Sequence, residues 1–192
     1  MVMQPGSSAR HLNLPNSLTI IRICAAPVLV VLLLYPGRGL AVTSTILFAA
    51  VCVTDWLDGY IARKSGDVTS LGKFLDPLAD KILITTAFIM LISLGRAPAW
   101  VIALMISREI AVTGLRAIAT DAGVVISASR LGKLKTVSQI AALVPLILHY
   151  TFWGIDFHTV GMVLLVIAFV LTIWSGVDYF INFFRKYSLS GD

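Results

Sequence analysis

The sequence predicts an all-α integral membrane protein with six transmembrane helices and both termini in the cytoplasm. Of its 192 residues, 58% are hydrophobic and only 13% are charged, which leaves too little polar surface for a soluble domain. The apolar residues fall into six stretches, each close to the roughly 20 residues that a helix needs to cross a bilayer. Lysines and arginines collect on one side of these stretches and indicate the orientation.

Short polar breaks separate the six stretches. The predicted spans are 17–35, 41–63, 72–94, 98–119, 135–153 and 159–184. A Pro-Gly-Arg-Gly run at 36–39 follows the first span, residues 95–98 separate the third from the fourth, and a turn at 153–156 follows the fifth. Pro27 and Pro145 lie inside spans, where neighbouring helices can accommodate a kink.

The basic residues indicate the side of the membrane on which each connection lies. Thirteen of the fifteen lysines and arginines fall on the side that holds both termini, and only Arg38 and Arg96 fall on the other. Cytoplasmic loops are enriched in these residues, so we expect cytoplasmic termini in a multi-pass protein of the cell (inner) membrane. We also expect a disordered tail over 1–12 and one membrane domain over 13–192.

The net charge of +5 does not indicate a nucleic-acid partner. The basic residues lie between hydrophobic runs and form no stripe with interleaved aromatic residues, which is the pattern that nucleic-acid binding requires. Membrane lipids with anionic headgroups, or a phosphorylated substrate, explain the charge better.

Four aspartates lie at the cytoplasmic ends of spans two and three. At 100° per residue, one face of span two is acidic, then small, then basic. It comprises Asp55, Asp58, Gly59, Ala62 and Arg63. The next helix carries Gly72, Asp76 and Asp80 at every fourth position. Two antiparallel helices joined by a short turn would bring the two acidic faces together.

These four carboxylates need a counter-charge. A charged side chain at the bilayer centre costs about 2.5 to 3.5 kcal/mol on insertion scales. Oxygen donors with no His or Cys beside them favour a hard cation, Mg²⁺ or Mn²⁺. Two structural alternatives are open: Asp58 can pair with Arg63, and Asp76 before Pro77 has the pattern of a helix N-cap. Neither explains why all four aspartates lie on matched faces.

The run from position 55 to position 80 resembles the signature of the CDP-alcohol phosphatidyltransferase family. All eight fixed positions of that signature are filled at the right spacing, by Asp55, Asp58, Gly59, Ala62, Arg63, Gly72, Asp76 and Asp80. Three less specific stretches, beginning at Asn13, Arg108 and Gly132, are similar to the branch of the family that makes phosphatidylglycerophosphate. Chain length and span number are also similar, so the resemblance covers nearly the whole chain.

The resemblance implies transfer of the phosphatidyl group from CDP-diacylglycerol to sn-glycerol 3-phosphate, with release of CMP, in phospholipid biosynthesis. Two Mg²⁺ or Mn²⁺ ions would be held by Asp55, Asp58, Asp76 and Asp80. Asp80 would also be the general base that takes the hydroxyl proton. No Ser, Cys or His accompanies the aspartates as a nucleophile, which favours direct displacement. The resemblance further implies a homodimer.

Residues near the aspartates are candidates for binding CDP-diacylglycerol. This set comprises Asn16, Thr19, Asp58, Gly59, Ala62, Arg63 and Gly72. The small residues would let the nucleotide lie against the helices, and Arg63 can pair with a phosphate. For Asn16 and Thr19, at the start of span one, capping of that helix is an equally good alternative.

The acceptor phosphate needs a second cationic pocket. Arg108 lies about 15 Å into span four, where an arginine without a function would be costly. With Arg116, Lys133 and Lys135 it forms the candidate glycerol 3-phosphate site. The alternatives are pairing of an arginine with Glu109, and binding of anionic lipid headgroups by the lysines.

Other functions remain as hypotheses. A sister enzyme that uses inositol phosphate, serine or phosphatidylglycerol as acceptor would share the aspartates. A divalent-cation carrier would also place carboxylates within spans. The acidic cluster lies near one interface, however, and the chain has no inverted repeat or paired broken helices, which disfavours a carrier. An inactive scaffold is disfavoured by the intact signature.

Overall fold

Six helices follow one another in the predicted order within the described residues. The computed structural model describes the backbone of residues 14–65, 70–121 and 130–189, and side chains over 21–54, 81–120 and 131–185. The helices are α1 (Leu14–Leu34), α2 (Arg38–Ser65), α3 (Ser70–Ser93), α4 (Ala99–Asp121), α5 (Arg130–Leu148) and α6 (Phe157–Leu189). A short hairpin of strands β1 (Thr151–Phe152) and β2 (Ile155–Asp156) lies between α5 and α6. The tail predicted over 1–12 lies outside the described residues.

The all-α prediction is confirmed for the described chain, apart from this hairpin. The first four helices begin and end within three residues of the predicted spans. The prediction for the fifth, 135–153, is wrong by five residues at each end, because α5 runs from Arg130 to Leu148. Pro27 and Pro145 lie inside α1 and α5, as expected.

The chain leaves α5 through residues with left-handed backbone conformations. His149 has a φ of 59° and ends the helix. Trp153 and Gly154 form the two-residue loop between β1 and β2, with φ values of 51° and 80°. Two successive positive φ angles match the twist of antiparallel strands, which explains the tight turn. Trp153 lies at the tip of the hairpin and is 94% exposed.

Two caps fix the ends of helices at the same side of the bundle. Asp156 caps α6: its carboxylate accepts the backbone N–H of His158 at 3.1 Å and the hydroxyl of Thr159 at 2.5 Å. The Thr159 hydroxyl is the main cause that holds the pKa of Asp156 below its usual value. At the end of α3, Gly95 has a φ of 67°, and the N–H of Arg96 donates to the carbonyl of Leu91, which is a Schellman motif.

The helices share one apolar core. Fully buried side chains come from every helix: Leu29, Phe48, Phe88, Ile102, Leu143 and Leu165. The most extensive packing joins α5 to α6; α1 packs against α2 and α3, α4 against α6, and α2 against α5. Helices that are consecutive in sequence and helices far apart in sequence therefore meet in a single bundle.

The outside of the bundle is also apolar. Ile110 and Trp174 are 68% and 65% exposed, as expected where lipid replaces water. Within the described side chains, two stretches are long and apolar enough to cross a membrane, Leu131–Leu148 of α5 and Phe157–Arg185 of α6. Shorter apolar stretches occur in α1, α2 and α3. By length and composition, the described parts of α5 and α6 are suited to cross a membrane.

Candidate active site

The four aspartates of the predicted metal site lie on two consecutive helices. Asp55 and Asp58 are in the second half of α2, and Asp76 and Asp80 are in the first half of α3. The backbone is helical through all four positions, which is the condition that the spacing argument needs. Their side chains lie outside the described part, so the metal site remains a prediction.

Helix α1 holds the two aspartate-bearing helices together. It packs against both α2 and α3, and it also carries Asn16 and Thr19, the candidates for nucleotide contacts. The structure disfavours the alternative that Asn16, Thr19 and Asp76 are helix caps. Asn16 and Thr19 lie within α1, which begins at Leu14, and Asp76 lies six residues after Ser70, the first residue of α3. The N-cap interpretation of Asp76 is therefore wrong.

A cluster of charged side chains joins α3, α4 and α5. Its centre is Glu109 on α4, whose Oε2 accepts a hydrogen bond from Arg108 Nη1 at 3.1 Å and another from Lys135 Nζ. Glu109 Oε1 lies 3.9 Å from Lys81 Nζ. We call these four residues the Glu109 cluster. Three cations around one carboxylate leave a formal excess of two positive charges.

Burial in the Glu109 cluster is uneven. The side chains of Arg108 and Lys135 are 10% and 8% exposed, whereas those of Glu109 and Lys81 are 27% and 36% exposed. Buried cations are costly unless a counter-charge and hydrogen bonds compensate them. Glu109 supplies that counter-charge, and the cluster is open to the outside on the side of Lys81.

Lys81 connects the Glu109 cluster to the predicted catalytic helix. Its ammonium also donates to the hydroxyl of Thr113 on α4, and that hydroxyl donates to the backbone carbonyl of Glu109 at 2.7 Å. Lys81 directly follows Asp80 in α3. The Glu109 cluster therefore lies beside the helical turn that carries the predicted general base.

A polar chain connects Arg108 to α6 and α5. Arg108 Nη2 donates to the hydroxyl of Ser175 at 2.8 Å, and this hydroxyl donates to the backbone carbonyl of Thr172 at 3.1 Å. Gln139 of α5 donates to the hydroxyl of Thr172 at 3.2 Å. Gln139, Thr172 and Ser175 are all buried. Arg108 is thus held from α4 and from α6 at the same time.

The four residues of the predicted acceptor site fall into two groups, one at Glu109 and one exposed. Arg108 and Lys135 meet at Glu109. The alternative of an Arg108–Glu109 pair is confirmed, and the acceptor site stays a prediction. Arg116 is exposed, and its guanidinium lies 5.8 Å from the centre of the Tyr179 ring. Lys133 is exposed whereas Lys135 is buried, because residues two apart in a helix point to opposite sides.

Sequence reasoning missed two contributors to this site. Lys81 is one of the thirteen basic residues on the predicted cytoplasmic side, and its position directly after Asp80 in an apolar helix is the sequence signal that could have identified it. Ser175 gave no such signal, because its partner Arg108 is 67 residues away in sequence. Contacts of that kind are set by helix packing.

No second metal centre competes with the aspartates in the described side chains, where no group of three or more His, Cys, Asp or Glu residues converges. His149 and His158 do approach, with their Nδ1 atoms 3.2 Å apart. That pair lies next to the β-hairpin, at the end of α5 opposite Lys135. Four carboxylates without His or Cys remain a donor set that suits a hard divalent cation.

A sequence model of the family described as CDP-alcohol phosphatidyltransferase matches residues 12–174. The chain belongs to the CDP-alcohol phosphatidyltransferase family. It is therefore a transferase of phospholipid biosynthesis in a membrane-embedded family that uses a divalent metal. The match covers the aspartates and the Glu109 cluster alike.

Three relatives show how far the similarity of the transferase extends. It is 43% identical to the CDP-diacylglycerol–glycerol-3-phosphate 3-phosphatidyltransferase of Bacillus subtilis, over 88% of this chain and 93% of that protein. It is 44% identical to the enzyme of the same name from Rickettsia typhi, over 88% and 95%. A probable phosphatidylglycerophosphate synthase of Mycobacterium tuberculosis is 41% identical, over 92% and 84%.

Replacement of Glu109 tests its role as the counter-charge. Glu109→Gln should lower the stability of the transferase by about 3 kcal/mol, because it leaves Arg108 and Lys135 as buried cations without a carboxylate. Thermal unfolding in detergent, followed by circular dichroism, measures the effect. Lys133→Gln, at an exposed position of α5, is the control and should unfold at the wild-type temperature. Equal unfolding temperatures for all three proteins would contradict this role.

Proposed function

We propose that the transferase moves the phosphatidyl group from CDP-diacylglycerol to sn-glycerol 3-phosphate, giving phosphatidylglycerophosphate and CMP. The observation that carries this proposal is the Glu109 cluster, with two excess positive charges beside the helical turn of Asp80. A phosphate monoester carries about −1.5 to −2 charges at neutral pH. The cluster therefore complements the phosphate of an acceptor whose hydroxyl lies next to Asp80.

The charge of the Glu109 cluster also favours this acceptor over others. Serine has no phosphate to neutralise two excess cations, and the phosphate of phosphatidylglycerol is a diester with a single charge. Inositol phosphate carries a suitable dianion but a larger ring. The names of the Bacillus and Rickettsia relatives agree with glycerol 3-phosphate.

In the proposed reaction, Arg108, Lys135 and Lys81 bind the acceptor phosphate and orient the acceptor. Arg108 can offer a planar pair of N–H groups, which suits two phosphate oxygens, whereas the lysines act as point charges. Glu109 keeps the three cations within reach of one another before the substrate arrives. Arg116 and Lys133, which are exposed, lie at the margin of the pocket and attract the anion.

Asp80 then takes the proton of the acceptor hydroxyl. The hydroxyl oxygen bonds to the phosphorus that carries diacylglycerol, the bond from that phosphorus to the CMP oxygen breaks, and CMP leaves with the electron pair. Two Mg²⁺ or Mn²⁺ ions, held by Asp55, Asp58, Asp76 and Asp80, would neutralise pyrophosphate charge when bound. This direct displacement needs no covalent intermediate.

The donor substrate would lie on the α1–α2–α3 side of the molecule. Gly59, Ala62 and Gly72 leave room for the cytidine nucleotide against the helices, and Arg63 pairs with a phosphate, while Asp58 contributes from the metal site. Asn16 and Thr19 on α1 add polar contacts. Support for this arrangement comes from the packing of α1 against both aspartate-bearing helices.

The proposed transferase has six transmembrane helices in one membrane domain over 13–192, with both termini and the active site on the cytoplasmic side of the cell membrane. The distribution of basic residues supports this orientation. The resemblance to the family supports a homodimer. A divalent-cation carrier remains the distant alternative. The Glu109 cluster disfavours it, because a pathway for metal cations would not be lined by three positively charged side chains.

A panel of acceptors tests the proposed reaction. Purified transferase in detergent with CDP-diacylglycerol and Mg²⁺ or Mn²⁺ should release CMP with glycerol 3-phosphate and not with inositol phosphate, serine or phosphatidylglycerol. Chromatography of the nucleotide and lipid products measures this. CMP release only with another acceptor would identify a sister enzyme. Metal flux in liposomes without CMP release would identify a carrier.

Replacement of the proposed base separates its role from metal binding. Asp80→Asn should abolish turnover, because the amide cannot take the hydroxyl proton, and it should largely retain the binding of metal and of CDP-diacylglycerol. Calorimetric titration with Mn²⁺ and CMP measures binding in the same preparation. Asp55→Asn is the comparison and should lose metal binding. Equal loss of metal affinity in both variants would make Asp80 mainly a ligand.

Thiol labelling tests the orientation. In a background without Cys24 and Cys52, a cysteine at the exposed position of Trp153 should react with a membrane-impermeant reagent in intact cells. A cysteine that replaces Asp192 should react only after the membrane is opened, because the C-terminus is proposed to be cytoplasmic. Mass spectrometry measures the labelled fraction. The reverse pattern would invert the topology.

A further inference from the structure

Helix α6 contacts Arg108 through two consecutive residues, Ser175 and Gly176. We propose that these two are positioning residues: they set where the Arg108 guanidinium lies and thereby the affinity of the transferase for the acceptor phosphate. The inference rests on the proposed function of Arg108 as a ligand of that phosphate. Neither residue is placed against the phosphate itself; both act through Arg108.

Gly176 makes room for the Arg108 side chain. A Cβ atom at position 176 would lie 2.9 Å from Cγ of Arg108 and 3.0 Å from its Nε. Such separations are too short for carbon against these atoms, so a larger residue requires a shift, and the three nearest atoms all belong to the Arg108 side chain. The backbone of Gly176 is inside α6, where glycine is less favourable than alanine. Close approach to Arg108 explains why a glycine stands there.

Ser175 fixes the direction of the guanidinium. Its hydroxyl accepts a hydrogen bond from Arg108 Nη2 at 2.8 Å and donates one to the Thr172 carbonyl at 3.1 Å. The Ser175 hydroxyl uses its hydrogen in the bond to the Thr172 carbonyl, so a lone pair on its oxygen accepts the hydrogen bond from Arg108. Ser175 is only 1% exposed, so water does not substitute for this contact.

These contacts leave part of the guanidinium available for a ligand. Nη1 donates to Glu109 and Nη2 donates to Ser175, which uses one of the two N–H groups on each nitrogen. Nε is buried and has no hydrogen-bond partner among the described residues. Anchoring from α4 and from α6 therefore defines the plane of the guanidinium, and one N–H on each Nη is not used by these two bonds, so it can donate to a phosphate oxygen.

Two variants test the inference by steady-state kinetics in detergent. Gly176→Ala should raise KM for glycerol 3-phosphate by about tenfold or more, since hydrogen bonds to charged groups contribute enough for a change of that size. Ser175→Ala, which needs no additional space, should raise it by about tenfold for the same reason. KM for CDP-diacylglycerol should stay within about twofold in both.

A matched glycine controls for general damage to packing. Gly161 is also in α6, at the end next to the β-hairpin. A Cβ at position 161 would lie 2.6 Å from a side-chain carbon and 2.9 Å from the backbone nitrogen of Leu146, so this variant disturbs helix packing at least as much as Gly176→Ala does, at a position whose nearest atoms belong to Leu146. Gly161→Ala should lower the unfolding temperature without raising KM for glycerol 3-phosphate. A similar rise in KM for both glycine variants would assign the effect to helix packing and overturn the inference.

A double-mutant cycle separates failure of the inference from failure of the proposed function. Arg108→Lys alone should raise KM for glycerol 3-phosphate; if it does not, the proposed acceptor pocket is wrong. If it does, Gly176→Ala and Ser175→Ala should have little further effect in the Arg108→Lys background, because they act through the guanidinium. Full additivity, or no effect of either variant in the wild-type background, would overturn the positioning role.

Discussion

The ion pairs of one carboxylate organise the polar interior of this bundle. Glu109 meets Lys81, Arg108 and Lys135, which come from three different helices. Burial makes Arg108 and Lys135 costly without a partner, so the positions of α4 and α5 around Glu109 depend on each other. The more exposed Lys81 connects α3 to the same carboxylate and to Thr113 of α4. Through Arg108 and Ser175 the same dependence reaches α6. Four of the six helices are thus related by a single polar centre.

Helix α1 constrains the positions of helices α2 and α3 through packing. It packs against α2 and α3 and so supports the helices that carry the aspartates, while α4 and α5 carry most of the basic side chains of the proposed acceptor pocket and α6 contributes Ser175. Helix α3 belongs to both groups, since Asp80 and Lys81 are consecutive residues on it. A small rotation of α3 would move the proposed base and one phosphate ligand together.

The sequence was sufficient to predict the helices, because the length of an apolar stretch and the polar residues that end it can be seen from neighbouring residues alone. It did not predict where α5 ends. His149 ends this helix with a left-handed backbone conformation, which its residue type does not indicate. The sequence placed Lys133 and Lys135 in one candidate pocket; because α5 begins at Arg130, both lie within the helix, where residues two apart point in different directions.

The candidate site was predictable only in part for a similar reason. The aspartates follow a spaced motif, and Arg108 was notable as a charge inside an apolar span. The convergence of Lys81, Arg108 and Lys135 on Glu109 depends on tertiary packing between α3, α4 and α5. The contact of Gly176 with Arg108 depends on how α6 crosses α4. Neither is encoded in local periodicity.

The place of Ser175 and Gly176 in the last helix has a consequence for biosynthesis. A chain is made from its N-terminus, so the aspartate-bearing helices enter the membrane well before α6. Until α6 arrives and packs against α4 and α5, Arg108 lacks its Ser175 partner and the wall that α6 forms beside it. A nascent or truncated chain would therefore possess the proposed donor half of the site while the proposed acceptor half is still unformed.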